Sequence, residues 1–450
     1  MSPSGAAAPM AGRGGLRVAL TTLGCRLNAF ETDAMSRMAQ EAGHTIVDFD
    51  GPADVVVVNT CTITAEADAD SRQRVRQATR RSPGAQVVVT GCYANAAPAA
   101  LQALPGVALV LGNLEKERWL ELLGARSGER VDVVVSDLTR HRRMARLRPD
   151  NDPRRSRALL KIQDGCDYRC TFCVVPAVRG RSVSLPRSTI AAQLEELVAA
   201  GLPEVVLTGA HLGTYGRDLG ERGGLAALVE GLLPRLGGAR LRLGSLDPHE
   251  VDERLIALIE GSEGAICRHL HLPVQSGDDE VLRRMRRAHT SADLAALVPR
   301  LVAAIPGIAI GTDVIAGFPG ESEAAFERTF ALLEALPIAY MHVFPYSRRA
   351  GTAAAEMDAQ VPAATRAARC GRLRALSKRK AAALRASMVG QALSVVVQRQ
   401  RERLSGRLIG LTDNYVEVLF DGDDALLGAA AAVRIVEAGE ARALGRLIGR

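Results

Sequence analysis

A single loop carries the stretch CDYRCTFC, residues 166–173, in which three cysteines have the spacing C-x3-C-x2-C. The preceding run, 158–163, predicts a buried strand, and Asp164-Gly165 predicts the turn that leaves it. Thiolates are soft ligands that favour iron–sulfur clusters or zinc. A [4Fe–4S] cluster usually takes four cysteines, but the next cysteine is the distant Cys267. Three ligands would leave one iron open. A structural zinc completed by a distant residue is the alternative, although zinc sites more often pair C-x2-C units.

A second group of cysteines follows three strands predicted near the start of the chain. These strands are 16–23, 54–60 and 86–91, with helices between them. Cys25, Cys61 and Cys92 each come just after one strand. Alternation of strands and helices indicates a parallel sheet, in which ligands bind at the carboxyl ends of the strands. Cysteines buried for packing would fall anywhere along a strand, so this placement favours a second three-thiolate site.

The middle of the chain again alternates between strands and helices. Strands are predicted at 158–163, 204–208, 240–244, 268–272, 308–315 and 338–344, and helices at 188–200, 223–236, 249–259, 278–287, 291–304 and 321–335. Six parallel strands predict an open barrel, since eight-strand closure needs more chain. His269 and His271 alternate on one strand, where packed or hydrogen-bonded histidines are favoured over zinc ligands.

The sequence pattern changes after residue 390, where short predicted strands are separated by turn signals. They are predicted at 393–397, 406–411, 415–420 and 432–436, which indicates a small all-β barrel. Tyr415 and Phe420 are the aromatic residues of this module. Base stacking would therefore be sparse, and binding of nucleic acid would depend on phosphate contacts. A purely structural role is the alternative.

Positive charge is unevenly distributed along the chain, and the cysteine content favours a reducing compartment. Lys and Arg outnumber Asp and Glu by 57 to 50. Arginine is clustered at 140–157, 283–287 and 372–385, which suits phosphate contact or a solvated surface. No signal peptide and no run of 18 apolar residues is present, so we expect a cytoplasmic protein without a membrane span. Eight cysteines then indicate metal ligation and not disulfides.

Both cysteine groups resemble those of a known enzyme family. The C-x3-C-x2-C loop is similar to that of radical S-adenosylmethionine (SAM) enzymes. The stretches 22–28, 59–64 and 91–92 (TLGCRLN, NTCTIT and GC) resemble the amino-terminal domain of the methylthiotransferases. The terminal module resembles the RNA-binding TRAM domain, which is of the OB type. The resemblance implies an α/β chain with a cluster domain at 1–145, a partial (β/α)6 radical SAM barrel at 146–385 and a TRAM barrel at 386–450.

The resemblance also implies the cofactors and their ligands. Cys166, Cys170 and Cys173 would hold a [4Fe–4S] cluster whose open iron binds SAM, which is cleaved to methionine and a 5′-deoxyadenosyl radical. A second [4Fe–4S] cluster, carrying the sulfur to be inserted, would be held by Cys25, Cys61 and Cys92.

Residues at the strand ends are candidates for contact with SAM. Thr208 and Gly209 close one strand of the middle domain, and Ser245 follows the next. Gln275 and Asp313 lie in the stretches HLPVQSG and TDVIAGFPGE, which resemble family motifs. Ordinary turn chemistry is the alternative for each. The stretch Arg179-Gly180-Arg181 resembles the family's RGR motif, and its charge would meet either the SAM carboxylate or an RNA phosphate.

The activity that the resemblance implies is replacement of a C–H bond by C–SCH3, with two SAM molecules. Residues 22–32 look most like the branch that modifies C2 of N6-threonylcarbamoyladenosine next to a tRNA anticodon, although Arg26 and Leu27 replace its usual lysine and valine. The substrate would be the anticodon stem-loop, and the reductant a flavodoxin- or ferredoxin-type donor; the sulfur donor is not indicated. Alternatives are N6-isopentenyladenosine, an aspartate of a ribosomal protein, or a non-catalytic RNA-binding protein stapled by zinc.

Overall fold

The computed structural model describes residues 15–126, 130–138, 142–150, 155–221 and 223–448. Contacts divide the chain into two compact units. The first comprises the residues up to Asp150 together with Ala177–Arg179, and the second comprises the remainder. The predictions for the start of the chain, and part of the arginine-rich segment 140–157, lie outside the described residues.

The first unit contains a six-stranded parallel sheet in the order β2-β1-β3-β4-β5-β6. Its strands are β1 (Arg17–Thr22), β2 (Thr45–Val47), β3 (Val55–Thr60), β4 (Gln86–Gly91), β5 (Val107–Leu111) and β6 (Asp132–Val134), and its helices are α1 (Arg26–Glu41), α2 (Ala65–Arg81), α3 (Cys92–Ala96), α4 (Pro98–Gln102) and α5 (Trp119–Gly124). The predicted α/β fold with a parallel sheet is confirmed. Strands β2 and β5 were not predicted; β2 is a three-residue edge strand, too short for a periodic signal.

Burial on both faces explains the valine-rich strands of this sheet. Every residue of β3 is buried. Val56 and Val58 pack in one apolar cluster, while Val55 and Val57 pack in another that contains Trp119. Since helices cover both faces of a parallel sheet, its central strands are apolar throughout. The strand ends are then the natural place for polar and metal-binding residues.

The second unit begins with an α/β part whose six long strands are parallel. Its strands are β7 (Ala158–Lys161), β8 (Gln163–Asp164), β9 (Val183–Ser184), β10 (Glu204–Thr208), β11 (Arg240–Leu243), β12 (His269–Gln275), β13 (Ala309–Ala316) and β14 (Tyr340–Pro345), and its helices are α6 (Val175–Arg179), which ends in the first unit, α7 (Arg187–Ala199), α8 (Gly224–Leu232), α9 (Glu253–Glu260), α10 (Asp279–Met285), α11 (Ser291–Ala304), α12 (Glu323–Ala335) and α13 (Ala363–Ser387). One sheet has the order β11-β10-β7 and the other β12-β13-β14. Parallel bridges Leu241↔Ile266 and Ser245↔His271 join them. The predicted partial barrel of six strands is confirmed.

Alternation along the strands separates an apolar face from a polar face. Leu270, Leu272, Ile310, Val314 and Met341 pack with the helices in the largest apolar cluster. The residues between them, which include three histidines, project from the other face. None of the described helices, α13 included, is both long and apolar enough to cross a bilayer.

The chain ends in a closed five-stranded barrel with the order β15-β16-β17-β19-β18. Its strands are β15 (Ala392–Val397), β16 (Leu408–Thr412), β17 (Glu417–Phe420), β18 (Ala430–Glu437) and β19 (Ala443–Leu447). The predicted all-β barrel is confirmed, with β19 as an additional strand. Phe420 is buried in the barrel core, and Tyr415 stacks on His269 with ring centroids 4.5 Å apart. Both aromatic residues therefore pack inside the second unit and offer little surface to a base.

Two buried arginines connect the terminal barrel to the α/β part through hydrogen bonds. Arg240 and Arg242 both donate to Glu204, at 2.7 and 2.8 Å. Their remaining nitrogens donate to main-chain carbonyls of the barrel at residues 411–413. Burial alone would raise the pKa of Glu204, but Arg242, Arg240 and Arg157 lower it to about 2.

We expect Glu204→Gln to lower the free energy of unfolding by about 3–5 kcal/mol, because two buried guanidinium groups would lose their carboxylate. The pKa of the folded state lies below that of an unfolded glutamate, so this stabilisation is present above about pH 4.3 and is lost as the pH falls toward 2. In chemical denaturation, the difference in free energy of unfolding between wild type and Glu204→Gln should shrink over that pH interval. Glu334→Gln, which breaks an exposed pair with Arg379, should cost less than about 1 kcal/mol; equal costs would contradict the account.

Candidate active site

The loop after β8 brings together the three cysteines of the 166–173 stretch. The main-chain nitrogen of Tyr168 donates to Cys166 Sγ at 3.4 Å, and that of Val175 donates to Cys173 Sγ at the same distance. Burial raises the pKa of the Cys173 thiol to about 12, and the neighbouring Cys170 and Cys166 add to this. The three sulfurs thus share one partly buried site with main-chain donors already directed at two of them.

Two cationic side chains that the sequence did not reveal contact these cysteines. His211 Nδ1 lies 3.3 Å from Cys166 Sγ, and Arg287 Nη1 lies 3.6 Å from Cys170 Sγ. Asp247 contacts both His211 and Arg287. Burial would lower the pKa of His211, but hydrogen bonds to Asp247, Cys166 and Glu250 raise it to about 12. Positive donors beside thiolates stabilise an anionic metal centre.

The second cysteine group lies at one edge of the sheet in the first unit, as the sequence predicts. Cys25 is the N-cap of α1, Cys61 follows β3, and Cys92 begins α3. Burial raises the pKa of the Cys61 thiol to about 11, with a contribution from Cys92 and Cys25. Gly24 has φ +92°, and a Cβ there would lie 2.6 Å from Cys61 Sγ. Only glycine allows the main chain next to Cys25 to lie so close to the Cys61 side chain.

Buried cations support this second group. Lys116 and Arg179 both bind Glu31, the latter at 2.9 Å, and all three side chains are almost fully buried. Burial raises the pKa of Cys92, while Arg179 and Lys116 act in the opposite direction. The network favours thiolates at its surface. Arg179 is therefore buried against Glu31, whereas Arg181 of the same RGR stretch is exposed and pairs with Asp167 at 2.9 Å. Contact of this stretch with SAM or an RNA phosphate stays a prediction.

Replacing Glu31 by glutamine should destabilise the first unit by about 3–5 kcal/mol, because two buried cations would face each other without a carboxylate. The matched change Glu121→Gln removes an exposed pair with Arg118 and should cost less than about 1 kcal/mol. Urea unfolding of both variants measures the difference. A cost for Glu31→Gln no larger than that of the control would show that the buried network is not stabilising.

The spacing of the sulfurs favours a cofactor larger than one ion. Tetrahedral zinc with bonds of about 2.3 Å places its sulfurs roughly 3.8 Å apart. Among the described residues, the His, Cys, Asp and Glu triplets whose ligand atoms all lie within 4.8 Å of one another include neither cysteine group. Three thiols per group, without a fourth, fit a cluster with one open iron.

The five predicted SAM contacts lie on neighbouring strands of the partial barrel. Thr208 is buried at the end of β10, and a Cβ at Gly209 would lie 2.8 Å from Gln163 Oε1. The main chain of Ser245 forms a parallel β-bridge with His271, and the His271 side chain contacts Asp313. Gln275 ends β12 with φ +70°, beside a register shift. Ser245 and Asp313 thus both contact His271, while Thr208 and Gly209 lie at the end of β10.

Several arginines of the second and third clusters have acidic partners within the chain. Arg283 pairs with Glu280, Arg284 with Asp358, Arg287 with Asp247, Arg372 with Glu327 and Arg379 with Glu334. Most of these pairs are exposed, and contact of the two runs with phosphate stays a prediction. Acidic residues on other elements supply partners that sequence clustering alone does not reveal.

Comparisons with known proteins agree with this geometry. Residues 17–112 match the uncharacterized protein family UPF0004, and residues 160–333 match the radical SAM superfamily. The chain is 38% identical over 426 residues to the threonylcarbamoyladenosine tRNA methylthiotransferase MtaB of Bacillus subtilis, covering 94% of each protein. The chain belongs to the radical SAM tRNA methylthiotransferase family.

Other relatives in the family carry two different names. The MtaB protein of Aquifex aeolicus is 38% identical, over 90% of this chain and 97% of the relative. A tRNA-2-methylthio-N(6)-dimethylallyladenosine synthase of Alkalilimnicola ehrlichii is 35% identical, over 96% and 98%. The radical SAM methyltransferase TsrM of Kitasatospora setae shares the fold, with a TM-score of 0.56 and 19% identity over 76% of this chain and 77% of TsrM.

Family membership makes this methylthiotransferase an enzyme that binds SAM and a [4Fe–4S] cluster. The alternative of a non-catalytic, zinc-stapled RNA-binding protein is therefore wrong. The donor set of Cys166, Cys170 and Cys173 fits that cluster, because three converging thiols leave one iron open for SAM.

Proposed function

We propose that this enzyme adds a methylthio group to C2 of N6-threonylcarbamoyladenosine next to the anticodon of tRNA, with two SAM molecules and two [4Fe–4S] clusters. The observation that carries the proposal is the presence of two separate three-cysteine groups, each gathered at strand ends. The name of the Bacillus subtilis relative supports the choice of nucleoside.

The two cysteine groups have different proposed roles. Cys166, Cys170 and Cys173 would hold the cluster, which would supply the electron for cleavage of SAM. Cys25, Cys61 and Cys92 would hold the second cluster, with Lys116 and Arg179 balancing the charge of the thiolates. Removal of a hydrogen atom from an aromatic carbon requires a radical, because acid–base groups move protons only.

Further residues are assigned to cofactor and partners. Thr208, Gly209, Ser245 and Gln275 are proposed contacts of SAM, as is Asp313, one of whose oxygens is engaged by two histidines. The tRNA anticodon stem-loop would be bound by the terminal barrel through phosphate contacts, since its aromatic residues are packed inward. A cytoplasmic flavodoxin- or ferredoxin-type protein would supply electrons. The proposed domains are 1–145, 146–385 and 386–450.

N6-isopentenyladenosine is the second candidate, because the Alkalilimnicola ehrlichii relative carries the dimethylallyladenosine name. Reconstituted enzyme is incubated with tRNA bearing either nucleoside, and with ribosomal protein, followed by nucleoside and peptide mass spectrometry. We expect a methylthio group on threonylcarbamoyladenosine alone. Modification of the isopentenyl nucleoside or of a protein aspartate, with none on threonylcarbamoyladenosine, would overturn the proposal.

A further inference from the structure

A column of polar side chains lines the face of β12, β13 and β14 that is turned away from the helices. The Tyr340 hydroxyl lies 2.8 Å from His269 Nε2 and 3.4 Å from His271 Nδ1. Asp313 Oδ1 lies 3.0 Å from His271 Nε2 and 3.2 Å from His342 Nδ1. One carboxylate oxygen thus accepts from two imidazoles. The predicted hydrogen-bonded histidines are confirmed, and the column has two ends of different character.

The amino-terminal end of the column is closed, and the carboxyl end opens to solvent. His269 is buried and stacks on Tyr415. At the other end, Asp313 is 26% exposed and His342 is 55% exposed. Phe344 lies two residues beyond His342 on the same face and is 43% exposed, which is unusual for a large apolar side chain in this protein. An exposed aromatic ring beside polar groups is the arrangement that receives a nucleobase.

The open end carries hydrogen-bonding atoms that the protein does not use. Asp313 Oδ2 and His342 Nε2 have no hydrogen-bond partner among the described residues. Burial would raise the pKa of Asp313, but His271 and His342 lower it well below its usual range. The carboxylate therefore stays ionised and accepts hydrogen bonds. With His342 Nδ1 donating to Asp313, Nε2 is left to accept a hydrogen bond.

The column is connected to the first cysteine group through Arg287. Arg287 Nη2 donates to the carbonyl of Pro273 at 2.8 Å, while Nη1 reaches Cys170 Sγ at 3.6 Å. Pro273 lies two residues beyond His271 on β12, a distance of about 7 Å along a strand. Strand β12, which carries His271, is thus connected through one arginine to the cysteine group at 166–173.

We propose that Asp313, His342 and Phe344 form the subsite for the N6-threonylcarbamoyl-adenine group, with Phe344 against the base and the other two against the threonylcarbamoyl chain. This inference rests on the proposed function. The chain has two ureido N–H donors, a hydroxyl and a carboxylate, which match an ionised acceptor and an imidazole. An isopentenyl group offers no hydrogen bond and would leave both side chains unpaired. Asp313 would then contact the nucleoside through Oδ2, the oxygen that the two histidines leave unused.

The test measures binding of anticodon stem-loop RNAs that carry threonylcarbamoyladenosine, isopentenyladenosine or adenosine at one position, using the cluster-loaded enzyme. Wild type should bind the threonylcarbamoyl RNA most tightly. The preference is the Kd of the adenosine RNA divided by the Kd of the threonylcarbamoyl RNA. In His342→Ala this ratio should fall at least about tenfold. Phe344→Ala should weaken all three RNAs alike. The control is His44→Ala, since the His44 ring accepts from the main-chain nitrogen of Leu16. It should leave the Kd values of all three RNAs unchanged.

The outcomes separate this inference from the proposed function. Tightest binding of the isopentenyl RNA by wild type would contradict the nucleoside choice itself. Preference for the threonylcarbamoyl RNA in wild type, retained in His342→Ala at an unchanged melting temperature, would overturn this subsite alone. A zinc or iron ion beyond the clusters that is lost in His342→Ala would also overturn it, by making His271, Asp313 and His342 a metal site.

Discussion

Replacing Cys166, Cys170 and Cys173 together by alanine is expected to abolish formation of 5′-deoxyadenosine from SAM. These thiols are the proposed ligands of the cluster that generates the radical. Cys267 and Cys370 are not placed to replace them, since Cys267 is buried beside Glu204 and Cys370 lies in the apolar cluster. Iron should fall from about eight atoms per chain to about four. Anaerobic purification, iron and sulfide analysis and chromatography of SAM products give both values.

The matched control is Cys370→Ala, which removes a buried thiol outside both groups. It should retain all iron and full SAM cleavage. If the triple variant also retained its iron, or if the wild type held zinc in place of iron, the assignment of this loop to a cluster would be wrong.

Replacing Cys25, Cys61 and Cys92 together should give a different phenotype. The variant is expected to keep cleaving SAM to 5′-deoxyadenosine, because the ligands of the first site lie in the other compact unit. Methylthio transfer to tRNA should fall to background, since the proposed sulfur-carrying cluster has lost every protein ligand. Iron should again fall to about four atoms per chain.

Nucleoside mass spectrometry and SAM-product analysis on the same reaction separate the two activities. Methylthiolated nucleoside formed by this variant would contradict the role of the second group. Loss of SAM cleavage in the variant, with its four irons retained, would show that the two sites do not divide the chemistry as proposed.

Those features of the fold that depend on local pattern were predictable from the sequence. Strand–helix alternation places Cys25, Cys61 and Cys92 at one sheet edge without knowledge of any contact. The edge strand β2 was not predicted, because its three residues carry no periodic pattern. The six long strands of the partial barrel carried a strong enough apolar pattern to be found.

Those features of the site that depend on tertiary contact were not predictable. His211 and Arg287 are 45 and 117 residues from the cysteines that they contact. Arg179 seemed available for a ligand, but its partner Glu31 is 148 residues away. The partners of clustered arginines could not be predicted for the same reason, since Glu327, which pairs with Arg372, lies on another helix. Proximity of this kind arises only when the chain has folded.

The most direct test of the account is a single reaction with reconstituted enzyme, a reductant, methyl-deuterated SAM and tRNA bearing N6-threonylcarbamoyladenosine. The account predicts that 5′-deoxyadenosine and a nucleoside with one deuterated methylthio group form together, and that either triple cysteine variant lacks the nucleoside. Formation of 5′-deoxyadenosine with no methylthiolated nucleoside, while the clusters are intact, would contradict it.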